Sequence, residues 1–352
     1  MSYIDPITGN VVPQEEHKKT WRERTTALVA EPPTNLEEAC QRIYEFLDKD
    51  SQGRGGEPPA VPLCEHAPDS YSTDHALLTS AIAYCLGYGR EGVDLNLLRL
   101  AAMAHDFPDD VRQKLAAGLS VAEQETLESA WGVLDAQRGW LERVVREGGF
   151  PTGEEAKLPA GDFAAILWQA HLAASASLGD EKVADEWGER WVPSSKDGFS
   201  RHPLAGAEDK VGLVYGGATK IKGYVFESAR LPEVRGASAL FDRINLEDVP
   251  ALWGKQNKIS GEVAALVQAP ECVIFASGGN FLALAPIAKA KELADAVEKR
   301  YTDETLVGNS AAVSGEFALL ELQYGRQPNT YWLSLIHISE PTRLGMISYA
   351  VF

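Results

Sequence analysis

The sequence predicts an α+β protein in which an all-helical domain is followed by an α/β domain. Two observations lead to this prediction. Between residues 63 and 204, apolar residues recur three and four positions apart, which is the period of one helix face. From residue 205 onward, runs of β-branched and aromatic residues alternate with helical patterns. We therefore expect a leader with one helix and a linker at 1–62, the helical domain at 63–204 and the α/β domain at 205–332.

Each predicted element has a local cause. Asn35 is expected to cap a helix over residues 36–47, because its side chain can accept a backbone hydrogen bond and acidic residues follow in the first turn. Periodicity predicts further helices over 76–86, 95–104, 121–146 and 162–177. In the α/β domain we predict strands over 211–215, 272–277, 281–286 and 316–323, and helices over 220–230 and 288–300.

The predicted hairpin turns at Gly278, Gly279 and Asn280. Both arms are apolar, which predicts a central, buried hairpin, and glycine permits the positive φ of a tight turn. Nucleotide-polymerising and cyclising palm domains place a Gly-Gly-Asp turn in such a hairpin, where glycine admits phosphate and the acid holds Mg²⁺. The turn is either a nucleotide site of this kind or an ordinary core hairpin.

Composition limits the classes of function. The net charge of −18 and the pI of about 4.9 predict a surface that repels nucleic acid, so any such contact needs a local basic patch. No apolar run is long enough to span a bilayer, and the N-terminus does not resemble a signal peptide. The four cysteines form no CxxC pair, which favours a reducing cytoplasm and argues against a zinc knuckle.

Two further groups of residues are candidates for binding or catalysis. His105 and Asp106 follow a helix rich in Ala and Leu, and His75 and His171 lie on neighbouring predicted helices. Imidazole and carboxylate groups together suit a divalent transition metal such as Mn, Ni or Co, although His171 is equally consistent with a hydrogen-bonded core histidine. The second cluster, a basic segment over 210–243, offers candidate phosphate or RNA contacts at Lys220, Lys222, Arg235 and Ser238. A solvated helix face is the alternative interpretation there.

The last twenty residues are interpreted as foreign to the protein. Residues 333–343 resemble the translation of a transposase-type sequencing adapter, and residues 347–352 resemble the flow-cell primer that follows such an adapter. His337 is therefore not a site candidate, and we expect the natural protein to continue beyond Trp332 with a different sequence.

Taken together, the motifs resemble the large subunit of type III CRISPR–Cas effector complexes. The resemblance lies in the His-Asp helical domain, in 221–226, in the Arg235-Gly236-Ala237-Ser238 segment and in the Gly-Gly-Asn hairpin. It implies an HD-type helical domain followed by a ferredoxin-like first palm domain. It also implies antiviral defence in the cytoplasm, with other effector subunits as partners and with guide and target RNA bound through the complex.

The resemblance further implies roles for individual residues. His105 and Asp106 would be catalytic in metal-dependent cleavage of single-stranded DNA, with His75 and His171 as further metal ligands. Gly278, Gly279 and Asn280 would line an ATP pocket that uses Mg²⁺ and, with a second palm, makes cyclic oligoadenylate.

Three departures from the family pattern restrict these implications. Phe107-Pro108 replaces the usual glycine-lysine step after the His-Asp pair, His171 replaces an aspartate, and Asn280 replaces the acid of a catalytic palm. A neutral amide holds Mg²⁺ less well than a carboxylate, so cyclase activity is not expected from this fragment alone. A stand-alone HD nucleotide phosphohydrolase and a catalytically inactive scaffold subunit are the alternative functions.

Overall fold

A computed structural model describes residues 2–4, 11–51, 72–147, 162–178, 209–219, 230–256, 263–277, 279–305 and 309–319. Several sequence predictions lie outside these residues: Lys220, Lys222, Gly278, nearly all of the helix expected over 220–230, and the adapter-like segment 333–352. The described residues form two compact units, a helical unit that extends to Asp209 and an α/β unit that starts at Lys210.

The helical unit begins with a small antiparallel pair of strands and continues through seven helices within the described residues. The elements are β1 (Ser2–Ile4), β2 (Val11–Pro13), α1 (Gln14–Leu28), α2 (Leu36–Ser51), α3 (Ser72–Gly87), α4 (Leu95–Ala104), α5 (Asp109–Ala116), α6 (Val121–Glu147) and α7 (Asp162–Leu178). The five helices predicted between residues 36 and 177 are confirmed. Helices α1 and α5 were not predicted.

Side-chain caps begin helices α2 and α4. Asn35 Oδ1 accepts a hydrogen bond from the Glu38 amide at 2.9 Å, which confirms the predicted cap of α2. The hydroxyl and the amide of Thr34 in turn donate to Glu38, and these hydrogen bonds lower the pKa of the Glu38 carboxyl to about 2. Asp94 caps α4, since its Oδ1 accepts from the Asn96 amide at 2.9 Å and from the Leu97 amide at 3.0 Å.

The core of the helical unit forms where α3 packs against both α4 and α7. Fully buried apolar side chains such as Ile82, Leu98 and Met103 fill this interface. An aromatic cluster of Trp21 and Phe46, with Phe107 edge-on to both, ties α1 and α2 to the turn after α4. The N-terminal segment that was predicted as a leader therefore packs onto the helical unit through α1 and α2.

The α/β unit contains a four-stranded antiparallel sheet in the order β4-β5-β3-β6. Its elements are β3 (Lys210–Thr219), α8 (Leu231–Arg243), a π-helical turn (Ile244–Asp248), β4 (Val273–Ser277), β5 (Asn280–Ala285), α9 (Ile287–Thr305) and β6 (Asn309–Ala318). The chain order β-α-β-β-α-β is compatible with the predicted α/β domain. Glycine supplies the predicted positive φ in the β4–β5 turn, since Gly279 has φ of 86°.

The core of the α/β unit lies on the face of the sheet that α9 covers. Trp253 is fully buried, and its indole Nε1 donates to the Leu284 carbonyl at 2.8 Å. A buried ion pair supports the π-helical turn, because the guanidinium of Arg300 contacts the fully buried carboxylate of Asp248 at 2.8 Å. Burial also raises the pKa of Tyr301, whose hydroxyl donates to the Asn245 side chain.

One prediction for this unit is wrong, one is right only in part, and one helix was not predicted. The hairpin is not central throughout, because β4 forms an edge of the described sheet and Ile274 is 50% exposed. Among the described residues the last strand is Asn309–Ala318, which pairs along the whole length of β3, so the strand predicted over 316–323 starts too late. Residues 320–323 lie outside the described residues. Residues 231–243 form helix α8, which starts with a proline in a favourable position and tolerates an interior glycine.

Two glycines in this unit should respond in opposite ways to alanine. Gly217 has φ of +150°, and an added Cβ would lie 2.0 Å from the Gly279 carbonyl oxygen, so we expect Gly217→Ala to lower the free energy of unfolding. The loss should exceed ~1 kcal/mol. Gly236 is the matched control, because an added Cβ there meets no atom of the described residues within 4 Å and α8 gains ~0.5–1 kcal/mol from alanine. Urea unfolding of both variants measures the difference, and equal effects would contradict the prediction.

Candidate metal centre

Three helices of the helical unit bring the candidate ligands together. His75 lies in the first turn of α3, His105 and Asp106 directly follow the last residue of α4, and His171 lies in the middle of α7. Because α3 packs against both α4 and α7, these separate segments meet at one point of the core. Periodicity had placed each histidine on a helix or at a helix end, but it could not show that the side chains meet.

The three imidazoles form a compact and buried cluster. The ring centroids of His75 and His105 are 5.0 Å apart, those of His75 and His171 are 5.0 Å apart, and those of His105 and His171 are 4.9 Å apart. The exposed fraction is 2% or less for each histidine. One ring nitrogen from each lies within 4.8 Å of the others. The structure therefore favours the ligand interpretation of His171 over that of an isolated core histidine.

Asp106 adds a carboxylate to the cluster. Its Oδ2 lies 3.5 Å from His75 Nδ1 and 3.4 Å from His105 Nε2, and its side chain is 13% exposed. Four ligands at 2.0–2.1 Å from one tetrahedral ion lie about 3.4 Å from each other. The spacing of Asp106 from both histidines is therefore the spacing of neighbouring ligands around a single ion.

The tautomer of His105 supports the same interpretation. Its Nδ1 lies 2.6 Å from the Ala102 carbonyl oxygen, which can only accept, so Nδ1 is the donor. In the neutral ring Nε2 therefore presents a lone pair toward Asp106 Oδ2, another acceptor. Two facing lone pairs in a buried site require a cation or a proton between them. A backbone carbonyl that orients the second nitrogen is also a usual feature of metal-binding histidines.

The donor set determines which metals fit. Three imidazole nitrogens and one carboxylate oxygen suit first-row transition metals, whereas Mg²⁺ prefers oxygen ligands and keeps several waters. The residues present therefore fit a single divalent transition metal. Trp168 stacks near His171 with a ring-centroid distance of 6.2 Å, and Thr79 Oγ1 donates to the His75 carbonyl at 2.7 Å. These contacts support the ligand-bearing turns of α7 and α3.

A second carboxyl group lies beside the cluster in sequence. Asp74 precedes His75 in the first turn of α3, and burial raises the pKa of its carboxyl above the ordinary value.

The other predicted site residues lie in the α/β unit. Gly279 and Asn280 form the end of the β4–β5 hairpin, where Asn280 is exposed and the Gly279 carbonyl accepts from the Ala218 amide at 2.8 Å. Arg235 and Ser238 are exposed on α8, three residues apart and therefore on neighbouring positions of one helix face.

Arg112, which was not predicted from the sequence, contacts the backbone of the candidate metal centre. This arginine on α5 donates from Nη1 to the His105 carbonyl oxygen at 3.3 Å and is almost completely buried. The sequence did contain a signal for this residue. Arg112 follows the His-Asp pair closely, and Asp109 lies three positions before Arg112, which is the spacing of an ion pair on a helix.

Comparisons with known proteins give a weak likeness among solved structures. No protein-family model matches the chain, and no curated protein matches it. Among solved structures, the chain is similar to the crystal structure of Csm1 in T. onnurineus, with 12% sequence identity and a TM-score of 0.31. The similarity covers 77% of this chain and 49% of that chain, so the chain spans about half the length of that protein. None of the described helices has the length and apolar character needed to cross a bilayer.

Proposed function

We propose that the chain is the N-terminal part of the large subunit of a type III CRISPR antiviral effector complex, and that its helical unit is a metal-dependent nuclease of HD type. The observation that carries the nuclease proposal is the buried cluster of His75, His105 and His171, together with the Asp106 carboxylate beside two of these histidines. The family assignment is supported by the motifs named in the sequence. The proposed substrate of the nuclease is single-stranded DNA.

Each of the four ligands has a defined task in this proposal. His75, His105 and His171 hold a transition metal through neutral ring nitrogens, and Asp106 adds the negative charge that balances the ion. When bound, such a metal supplies a Lewis acid for a phosphodiester and lowers the pKa of water. The Ala102 carbonyl keeps the proton of His105 on Nδ1, so that the lone pair of Nε2 stays available to bind the metal. His105 and Asp106 are the proposed catalytic residues.

For the α/β unit we propose a ferredoxin-like first palm domain that does not catalyse alone. Gly278, Gly279 and Asn280 form one side of an ATP pocket, and the missing acid at Asn280 makes a second palm necessary for cyclic oligoadenylate synthesis. Arg235 and Ser238 are exposed on one helix face, which suits contact with phosphate or RNA backbone. Lys220 and Lys222 belong to the same proposed contact.

Cleavage assays on the whole chain test the nuclease proposal. We expect single-stranded DNA to be cut in the presence of Mn²⁺, Ni²⁺ or Co²⁺, and we expect EDTA to stop the reaction because the donors alone cannot activate water. Mg²⁺ should support little cleavage, since three of the four donors are imidazoles. Release of phosphate from nucleotides without any DNA cleavage would instead favour a stand-alone phosphohydrolase. Absence of both activities and of bound metal would favour an inactive scaffold.

A further inference from the structure

The positions of His105 and Asp106 depend on a short turn. These two residues follow α4 and precede Pro108, which lies directly before α5 and has no amide hydrogen to donate. Within the turn, the Phe107 amide donates to the Ala104 carbonyl at 3.0 Å. Two ligands of the proposed centre thus lie where the regular hydrogen bonding of α4 has ended, and additional contacts must set their orientation.

Arg112 supplies such a contact from α5. Its Nη1 donates to the His105 carbonyl oxygen at 3.3 Å, and its Nη2 donates to Asp135 Oδ2 on α6 at 2.7 Å. The same Nη2 is also hydrogen bonded to Asp109 at the start of α5. One planar guanidinium therefore links the turn to two helices, which a single ammonium group cannot do with the same geometry.

Trp131 completes this arrangement on α6. The guanidinium carbon of Arg112 lies 5.4 Å from the centroid of the Trp131 ring, a cation–π distance. The indole Nε1 of Trp131 donates to the Ala101 carbonyl at 3.0 Å. The last turn of α4 is thus held at two carbonyls, Ala101 by Trp131 and His105 by Arg112. We call Arg112, Trp131 and Asp135 the Arg112 clamp.

Burial makes the clamp costly unless it is fully paired. The Arg112 side chain is 8% exposed, whereas its partners Asp109 and Asp135 are 82% and 40% exposed. A buried guanidinium is tolerated only with several hydrogen bonds. The His105 carbonyl, Asp109 and Asp135 accept these hydrogen bonds from Arg112. The uneven exposure has a useful consequence for experiments. Removing the arginine leaves two acids that water can reach, so no buried unpaired charge remains.

We propose that Arg112 is a positioning residue for the metal centre: the clamp fixes the turn so that His105 Nε2 and Asp106 Oδ2 face one common point. This inference rests on the proposed metal centre. It predicts that Arg112 raises the affinity of the site for metal, although its positive charge alone would lower that affinity. Coulomb repulsion between a guanidinium and a nearby metal cation predicts tighter metal binding when the arginine is removed. Positioning predicts weaker binding.

Co²⁺ titration of the whole chain, followed by the visible absorption bands of the ion, tests the inference without any activity measurement. We expect Arg112→Met to weaken Co²⁺ binding about 10- to 100-fold, the range found when an outer partner of a metal ligand is lost, and to change the band shape. Methionine keeps an unbranched apolar chain against Trp131. We expect Arg112→Lys to show a similar loss, because lysine keeps the charge but cannot bridge Asp135 and the His105 carbonyl.

Arg22→Met is the matched control. Arg22 forms an ion pair at 3.3 Å with Asp110, which lies on α5 like Arg112. Both partners are largely exposed, and this ion pair does not involve the His105 backbone. We expect its Co²⁺ affinity and spectrum to equal those of the parent. Circular dichroism and thermal unfolding of the metal-free variants identify any that fail to fold, and Arg112→Lys then carries the test if Arg112→Met does not fold.

The outcomes separate this inference from the proposed function. Unchanged or tighter Co²⁺ binding by a folded Arg112→Met, with a parent that binds Co²⁺, would overturn the clamp and leave the metal centre intact. Full Co²⁺ affinity in Arg112→Lys would also overturn it, because charge rather than geometry would then suffice. A parent chain that binds no Co²⁺ would overturn both.

Discussion

His105→Ala is expected to abolish metal-dependent cleavage of single-stranded DNA. The substitution removes one of three clustered nitrogen donors, so the remaining groups should hold the ion much less tightly. Loss of the ion forfeits several kcal/mol of transition-state stabilisation, so we expect cleavage to fall ~10³-fold or more. Gel assays with labelled single-stranded DNA and Mn²⁺ measure the rate. Metal content after dialysis should fall in parallel.

Two further variants make this experiment specific. Asp106→Asn keeps the shape of the side chain but removes the charge that lies 3.4 Å from His105 Nε2, so it should also lose metal and cleavage. His17→Ala is the control, because His17 lies on α1, far along the sequence from the proposed ligands. Cleavage by His105→Ala at the parent rate would refute the assignment of this site.

Trp253→Ala is expected to destabilise the α/β unit strongly. The side chain is fully buried, packs near the Phe281 ring and donates to the Leu284 carbonyl on β5. Truncation leaves a large cavity at a cost of ~3–5 kcal/mol. It also leaves a buried carbonyl without its donor, which adds ~1 kcal/mol or more. Urea unfolding followed by circular dichroism measures the change in the free energy of unfolding.

The control for this prediction is Trp253→Phe, which retains an aromatic ring but cannot donate to Leu284 and should therefore be destabilised less than the alanine variant. Co²⁺ binding provides a second check, because the proposed ligands all lie in the helical unit. We expect Trp253→Ala to keep the parent Co²⁺ affinity at low temperature. A free energy of unfolding equal to that of the parent would contradict the packing described for Trp253.

Local patterns were sufficient for most of the helical unit. The apolar period and the Asp94 cap define α4, whose bounds Leu95–Ala104 are those that were predicted. The Asn35 cap likewise locates the start of α2. Such signals lie within a few residues of each other along the chain, so the sequence displays them directly.

Patterns failed where an element depends on distant partners. Helix α8 is largely exposed along its first ten residues, so it lacks the wide apolar stripe that periodicity detects. The edge position of β4 is a property of the strand order, which the composition of the hairpin does not specify. The extent of β6 is likewise set by its pairing with β3.

By itself, the sequence determined the two classes of structure, the order in which they occur and the residue types from which a metal site can be built. Only the tertiary structure decided that His75, His105 and His171 meet, that Asp106 joins them and that Arg112 holds the turn between α4 and α5. The physical reason is that periodicity defines the buried face of each helix but not the neighbour against which that face packs. Side chains far apart in sequence become ligands of one site only when that packing is fixed.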